Sequence, residues 1–184
     1  MTVSAITVIP ALAQKLVNQK RKLDWLALVS SVSLQGIVKG YSISNLKWII
    51  AQAALESDWG NSNLATTHNS YWGMWQPRQR EYFAEGIHST NDGVANVVYL
   101  TYRSPWQCAR DRFAWDAEFN ESVLPFKASP LYGEAVGSRF HGSSAYASAV
   151  RNVMESNIKE LTTGVWVSLT VAPLELYLAT KIFT

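Results

Sequence analysis

A chain of 184 residues, 48% hydrophobic and 16% charged, has the composition of one globular domain, or of one domain with extensions. A formal net charge of +2 is too small to argue for nucleic acid, though it is compatible with an anionic target. The single cysteine, Cys108, excludes an internal disulfide, and three scattered His with no paired Cys and no HExxH pattern argue against a protein metal site.

Residues 1–13 hold the apolar run VSAITVIPALA, which ends in an A-x-A pattern. No positive residue precedes it, so a signal peptide is not expected. Pro10 suits the first position of a helix running through LAQKLVNQKRKLDWLALVSSV, with Leu12, Leu16, Leu23 and Leu26 on an amphipathic face. The basic cluster Lys20, Arg21, Lys22 reads as a solvated face, with contact to a membrane or a wall polymer as the sharper alternative. Gly36 and Gly40 mark a loop, so residues 1–40 form an N-terminal helical extension.

The next helix is expected from an N-cap at Ser44 to a C′ glycine at Gly60. Leu46, Ile49, Ile50, Ala53 and Ala54 recur at helical spacing and mark its buried face. Glu56 projects from the edge of that face, in the last turn, with Trp59 three residues on. His68, Tyr71, Trp72 and Trp75 follow. An acid beside a wall of rings is the pattern of a carbohydrate cleft: the acid transfers a proton, and the rings stack on the apolar faces of sugars. The alternative is a Glu on a solvated helix edge.

Residues 75–103 are β-branched and aromatic, with turn residues at Gly86, Asn91, Asp92 and Gly93, and predict a short hairpin or small β-lobe. Residues 105–128 predict a helix with Ser104 as N-cap and Pro105 at its first position. Phe113, Trp115 and Phe119 are expected in the core, and Asp111 and Asp116 are expected to be solvated or paired with Arg110 and Arg112. A short helix and turn in SPLYGEAVGSRF and a better helix over Ser144–Leu161 complete the domain. The tail, 163–184, is apolar from Val165 to Phe183, but Pro173 and Glu175 interrupt it, so a spanning helix is not expected. Its first half alternates like a strand. Packing on the domain ranks first for it, then docking on a membrane or virion partner.

ALESDWGNS followed by NSYWGM resembles the motif pair of glycoside hydrolase family 73, the bacterial and phage N-acetylglucosaminidases. Glu56 falls on that family's catalytic acid, and Asp58 stands where the family has glycine. YLTYRSPWQCARD and SSAYASAV are similar to its later segments, through Tyr99, Tyr102, Ser104, Asp111, Tyr146 and Ala147. Phe140 falls on a tyrosine of the pattern. The resemblance implies a mostly helical, lysozyme-like α+β fold with a small β-hairpin lobe, and a catalytic domain at 41–162. It implies a cleft between lobe and acid-bearing helix, and hydrolysis of the β-1,4 glycan backbone of peptidoglycan in the cell wall or periplasm.

On this reading Glu56 is the general acid. Glu81, in EYFAEG, is its expected partner, ahead of Glu85 and Asp92. Trp59, Asn69, Tyr71, Trp72, Trp75 and Tyr146 bind substrate, and no cofactor is needed. The expected partners are peptidoglycan glycan strands, not nucleic acid, and carriage by a phage or virion is compatible with the missing secretion signal. Two alternatives stay open. GMWQ at 73–76 is close to the GLMQ-like stretch of lytic transglycosylases, which use one acid and leave anhydro ends. A non-catalytic wall-binding or virion module is the other, against which an intact Glu56 argues.

Overall fold

The structure is a computed structural model describing residues 5–75, 83–91, 96–119, 121–157 and 159–167. Its elements are α1 (Ala5–Val38), α2 (Ile43–Ser57), α3 (Asn63–His68), β1 (Gly86–Asn91), β2 (Asn96–Thr101), α4 (Pro105–Glu118), a 3₁₀ turn (Leu124–Phe126), α5 (Tyr132–Phe140) and α6 (Ser144–Ser156). Residues 159–167 form a further helical stretch, α7. The architecture is the expected one: mostly helical α+β with a small antiparallel hairpin.

The centre is α2. From Asn45 to Ala54 every residue but Lys47 is buried, so the helix is enclosed on nearly every side rather than simply amphipathic. Around it pack α1, α5 and α6, while α4 lies against α1. Ser42, not Ser44, caps α2: its Oγ accepts from Asn45 N at 3.2 Å. The Asn45 side chain then donates to the carbonyls of Lys127 and Ser129, each at 2.9 Å, and ties down the turn after α4.

α1 differs from expectation in three ways. It begins at Ala5, so Pro10 lies inside it. It runs through Gly36, where a Cβ would meet Leu46 Cδ2 at 2.1 Å, so the glycine serves close helix packing and not a loop. Its buried face is Leu28, Val29 and Val32, whereas Leu16, Leu23 and Leu26 are exposed.

The lobe pairs Gly86 with Thr101 through to Asn91 with Asn96, so Gly86 opens a strand. It is fastened to the body by Leu100 N to Met74 O at 2.8 Å and Tyr102 N to His68 O at 2.9 Å. Asp111 of α4 is fully buried and locks the same junction, accepting from the Tyr102 hydroxyl at 2.8 Å and from Phe83 N at 3.1 Å. Helix α4 has the predicted cap and proline but ends at Glu118, ten residues short of the expected boundary at 128. Pro125 cannot donate to a continuing helix, and it restricts Leu124. Residues 165–167 are helical, not strand-like, and the rest of the tail lies outside the described residues. No described helix is long and apolar enough to cross a membrane.

Candidate active site

Helix α2 delivers Glu56 in its last turn, and the turn that follows is unusual. Asp58 (φ 50°), Trp59 (φ 53°) and Gly60 (φ 80°) are successive left-handed residues. Glycine adopts this region freely and Asp tolerates it, but for a bulky Trp it is an outlier. Ser57 holds the turn by donating to Ala53 O at 2.6 Å and accepting from Gly60 N at 2.8 Å.

Glu56 lines a groove of about 570 Å³. One wall is Trp72 to Trp75 with Tyr99 of β2; the other is Trp115 and Glu118 of α4 and Phe119 just after it, with Arg139, Phe140 and His141 at the end of α5. Trp75 is 65% exposed and bridges to Tyr99 through the backbone, so its ring is available to a ligand. Trp72 lines the groove but is 1% exposed, and its Nε1 donates to Ile49 O at 3.3 Å, so it is also core.

Behind Glu56 runs a chain of buried polar contacts. The Tyr146 hydroxyl donates to Glu56 Oε1 at 2.5 Å and accepts from Gln52 Nε2 at 3.0 Å. Gln52 Oε1 accepts from Arg112 Nε at 3.2 Å and Nη2 at 3.0 Å. Arg112 in turn pairs with Asp116, both fully buried, and Asp116 also accepts from the hydroxyls of Tyr41 and Tyr132. Asp116 is thus paired with Arg112, inside the core rather than on a solvated face.

Burial, then the Glu56 charge and its hydrogen bond, push the Tyr146 phenol well above the usual tyrosine range, so it stays a donor. Burial, followed by Asp116, does the same for Tyr41. For Arg112, burial disfavours the charge but Asp116 and the tyrosines outweigh it, and the guanidinium stays protonated. Phe140 and His141 stack on the Tyr146 ring, at 5.8 and 4.9 Å between centroids. No other hydrogen bond reaches the Glu56 carboxyl among the described residues, which leaves Oε2 for a ligand. Cys108 is buried and its thiol is pushed up by burial, so it is no nucleophile.

Of the residues expected to contact sugar, Trp72 and Trp75 line this groove. Tyr71 is buried against Trp25, and Trp59 packs on Trp25 in a different pocket. Asn69 is the left-handed cap of α3, and its side chain donates to Tyr102 O at 3.0 Å. Glu81 and Asp92 lie outside the described residues. Glu85 is exposed and paired with Arg103 at 2.7 Å, and does not line the groove. Sequence reasoning missed Glu118, Arg139 and His141; Trp115 and Phe119, expected in the core, do pack against it half-buried and also line the groove. The available signal was the spacing of Trp115 and Glu118, three apart on one helix face. Among the described residues no cluster of His, Cys, Asp and Glu could hold a metal ion.

The catalytic domain of the autolysin Auto from Listeria monocytogenes has a similar fold, at 18% identity and a TM-score of 0.53, covering 89% of this chain and 99% of that one. A type VI secretion system effector–immunity complex from Pseudomonas protegens is more distant, at 20% identity and a TM-score of 0.42, covering 70% of this chain and 94% of that one. No curated protein sequence matches. Residues 33–159 match the glucosaminidase family, described as mannosyl-glycoprotein endo-beta-N-acetylglucosaminidase. The chain belongs to this family and is a peptidoglycan-degrading glycosidase of the N-acetylglucosaminidase type.

Proposed function

We propose that the chain cleaves the β-1,4 backbone of peptidoglycan internally, as an endo-N-acetylglucosaminidase, with Glu56 as general acid. The observation that carries this is the Tyr146–Glu56 hydrogen bond at the groove, backed by the buried chain to Arg112. It fixes one carboxyl oxygen and leaves the other to protonate the leaving glycosidic oxygen as the bond to C1 breaks. Water then attacks the oxocarbenium-like carbon and gives its proton to a second carboxylate. From the family resemblance that carboxylate is Glu81. Glu118 is the second carboxylate on the described groove walls, and the same experiment tests it. Trp75 and Tyr99 supply ring faces for the sugars, with the buried Trp72 packed behind them.

Glu56→Gln keeps the shape and removes the proton. General acid catalysis is worth roughly 10²–10⁴-fold, so release of soluble fragments from purified peptidoglycan should fall by at least that. Thermal stability should change little, because Glu56 is exposed. Turnover like that of the unmodified enzyme would overturn the assignment. Mass spectrometry of the digest should show reducing N-acetylglucosamine ends; 1,6-anhydro ends would replace hydrolysis by transglycosylation. Glu81→Gln and Glu118→Gln, run in parallel, assign the base to whichever abolishes turnover.

A further inference from the structure

We propose a second glycan-binding site, separate from the Glu56 groove, in the pocket between α1 and the turn after α2. It takes an N-acetylated sugar strand bearing carboxylates, and anchors the enzyme to the polymer it cuts. The proposal rests on the peptidoglycan reading above and extends it to a site that this reading does not use.

The pocket is about 530 Å³, close to the size of the groove. Three independent features point to a ligand. The first is aromatic. Trp25 and Trp59 meet at 5.6 Å between centroids and 59° between planes, forming a corner of two partly exposed ring faces. Such rings bury the apolar face of a sugar while their edges stay wet.

The second is charge. Lys20 pairs with Asp24 at 2.5 Å, which neutralises the one acid in that stretch of α1. Arg21 and Lys22 line the pocket and have no ion-pair partner among the described residues. Two unneutralised cations beside ring faces suit a carboxylate on a sugar. Asn18 and Asn61, also on the lining, supply amides for hydroxyl or acetamido groups. The Asn18 carbonyl accepts from Gln14, leaving its amide hydrogens, whereas the Asn61 amide donates to Asp58 O, leaving its carbonyl.

The third is strain. Trp59 is held at φ 53°, where large side chains are rarely found. Strain of this kind persists where the surroundings over-determine it, and it gathers at ligand sites. Here it turns the Trp59 ring toward Trp25, while Glu56, three residues earlier, lines the groove.

The test uses Arg21→Glu with Lys22→Glu, both on the outer part of α1. In the Glu56→Gln background, which cannot digest its target, pelleting with insoluble purified peptidoglycan should weaken at least tenfold. The melting profile should be unchanged. With Glu56 intact, cleavage of short soluble N-acetylglucosamine oligosaccharides should also be unchanged. A matched control, Lys39→Glu with Lys159→Glu, makes the same charge change at exposed positions elsewhere and should leave pelleting intact. Unaltered pelleting of the Arg21/Lys22 variant overturns the site. So does equal loss in the control, which would show general charge attraction only. Parallel loss of oligosaccharide cleavage would place the pair in the Glu56 groove and also overturn it. If the variant instead loses binding only to phosphatidylglycerol vesicles, the patch is a membrane contact and the glycan site falls. Absence of any glycan cleavage by the unmodified enzyme, with charge-dependent pelleting retained, would sink the proposed function and leave this site standing.

Discussion

Tyr146→Phe removes one oxygen atom and leaves the ring that Phe140 and His141 stack on. Two contacts disappear. The first is the 2.5 Å bond to Glu56. A hydrogen bond to a charged group is worth about 1.5–3 kcal/mol, and if that orientation is fully used in the transition state its loss slows turnover roughly 10- to 150-fold. The second is the acceptor for Gln52 Nε2. Gln52 cannot turn its amide elsewhere, because its oxygen is held by two guanidinium nitrogens of Arg112. A fully buried amide hydrogen is left without a partner, at a cost of about 1–3 kcal/mol of stability. For a chain of this length that lowers Tm by a few degrees per kcal/mol. The expected outcome is therefore a folded protein that melts somewhat earlier and solubilises peptidoglycan one to two orders of magnitude more slowly, with KM little changed because the phenol is not on the groove lining. A variant with the lower Tm but full kcat would refute the idea that Tyr146 positions the acid.

Trp75→Ala should raise KM for glycan several-fold without moving Tm, since the ring is exposed; a melting change without a KM change would make it structural. Asp58→Gly should raise Tm by a few degrees, because it removes a non-glycine left-handed residue and a negative charge from a helix C-terminus, together about 1 kcal/mol; an unchanged or lower Tm would show that the Asp58 side chain stabilises the turn. Stability should fall as pH rises above about 10. Burial raises the folded-state values of Tyr41, Tyr71, Tyr132 and Tyr146 above that of a free tyrosine, so the unfolded chain loses these protons first. Their contribution is intact below the unfolded value and is lost toward the folded ones. The phenolate absorbance of these four buried tyrosines should therefore appear together with unfolding; ionisation of all eight tyrosines in a still-folded protein would contradict it.

Much of the fold was legible because local signals and burial agree there. The α2 pattern, the Ser104–Pro105 start of α4 and the hairpin were each readable from spacing and turn residues. What sequence could not show was which side of a ring or helix another element would cover. Trp59 sits beside Glu56 in the chain, yet a left-handed turn sends it to Trp25, where Tyr71 also packs. Asn69 fits a motif but spends its side chain on Tyr102 O. Trp115 and Phe119 read as core because their helix is partly buried, and only the approach of α5 makes them a groove wall. Glu118, Arg139 and His141 carry no local pattern, since they meet Glu56 only through tertiary packing.

The polar chain behind Glu56 has a direction, and donor chemistry alone sets it. Arginine donates and never accepts. Arg112 therefore forces the Gln52 oxygen toward itself, and the Gln52 amide hydrogens toward Tyr146. The Tyr146 oxygen must accept from Gln52, so its one proton points to Glu56. At the other end, Asp116 receives Arg112, Tyr41 and Tyr132, so the buried charge is fully partnered. A buried ion pair is weak evidence for stability, because apolar residues of the same volume often do as well. An apolar core could not orient an amide, and without an oriented amide the phenol proton would be free to turn from the acid. The ion pair is thus better explained by what it imposes on Glu56 than by what it adds to the core.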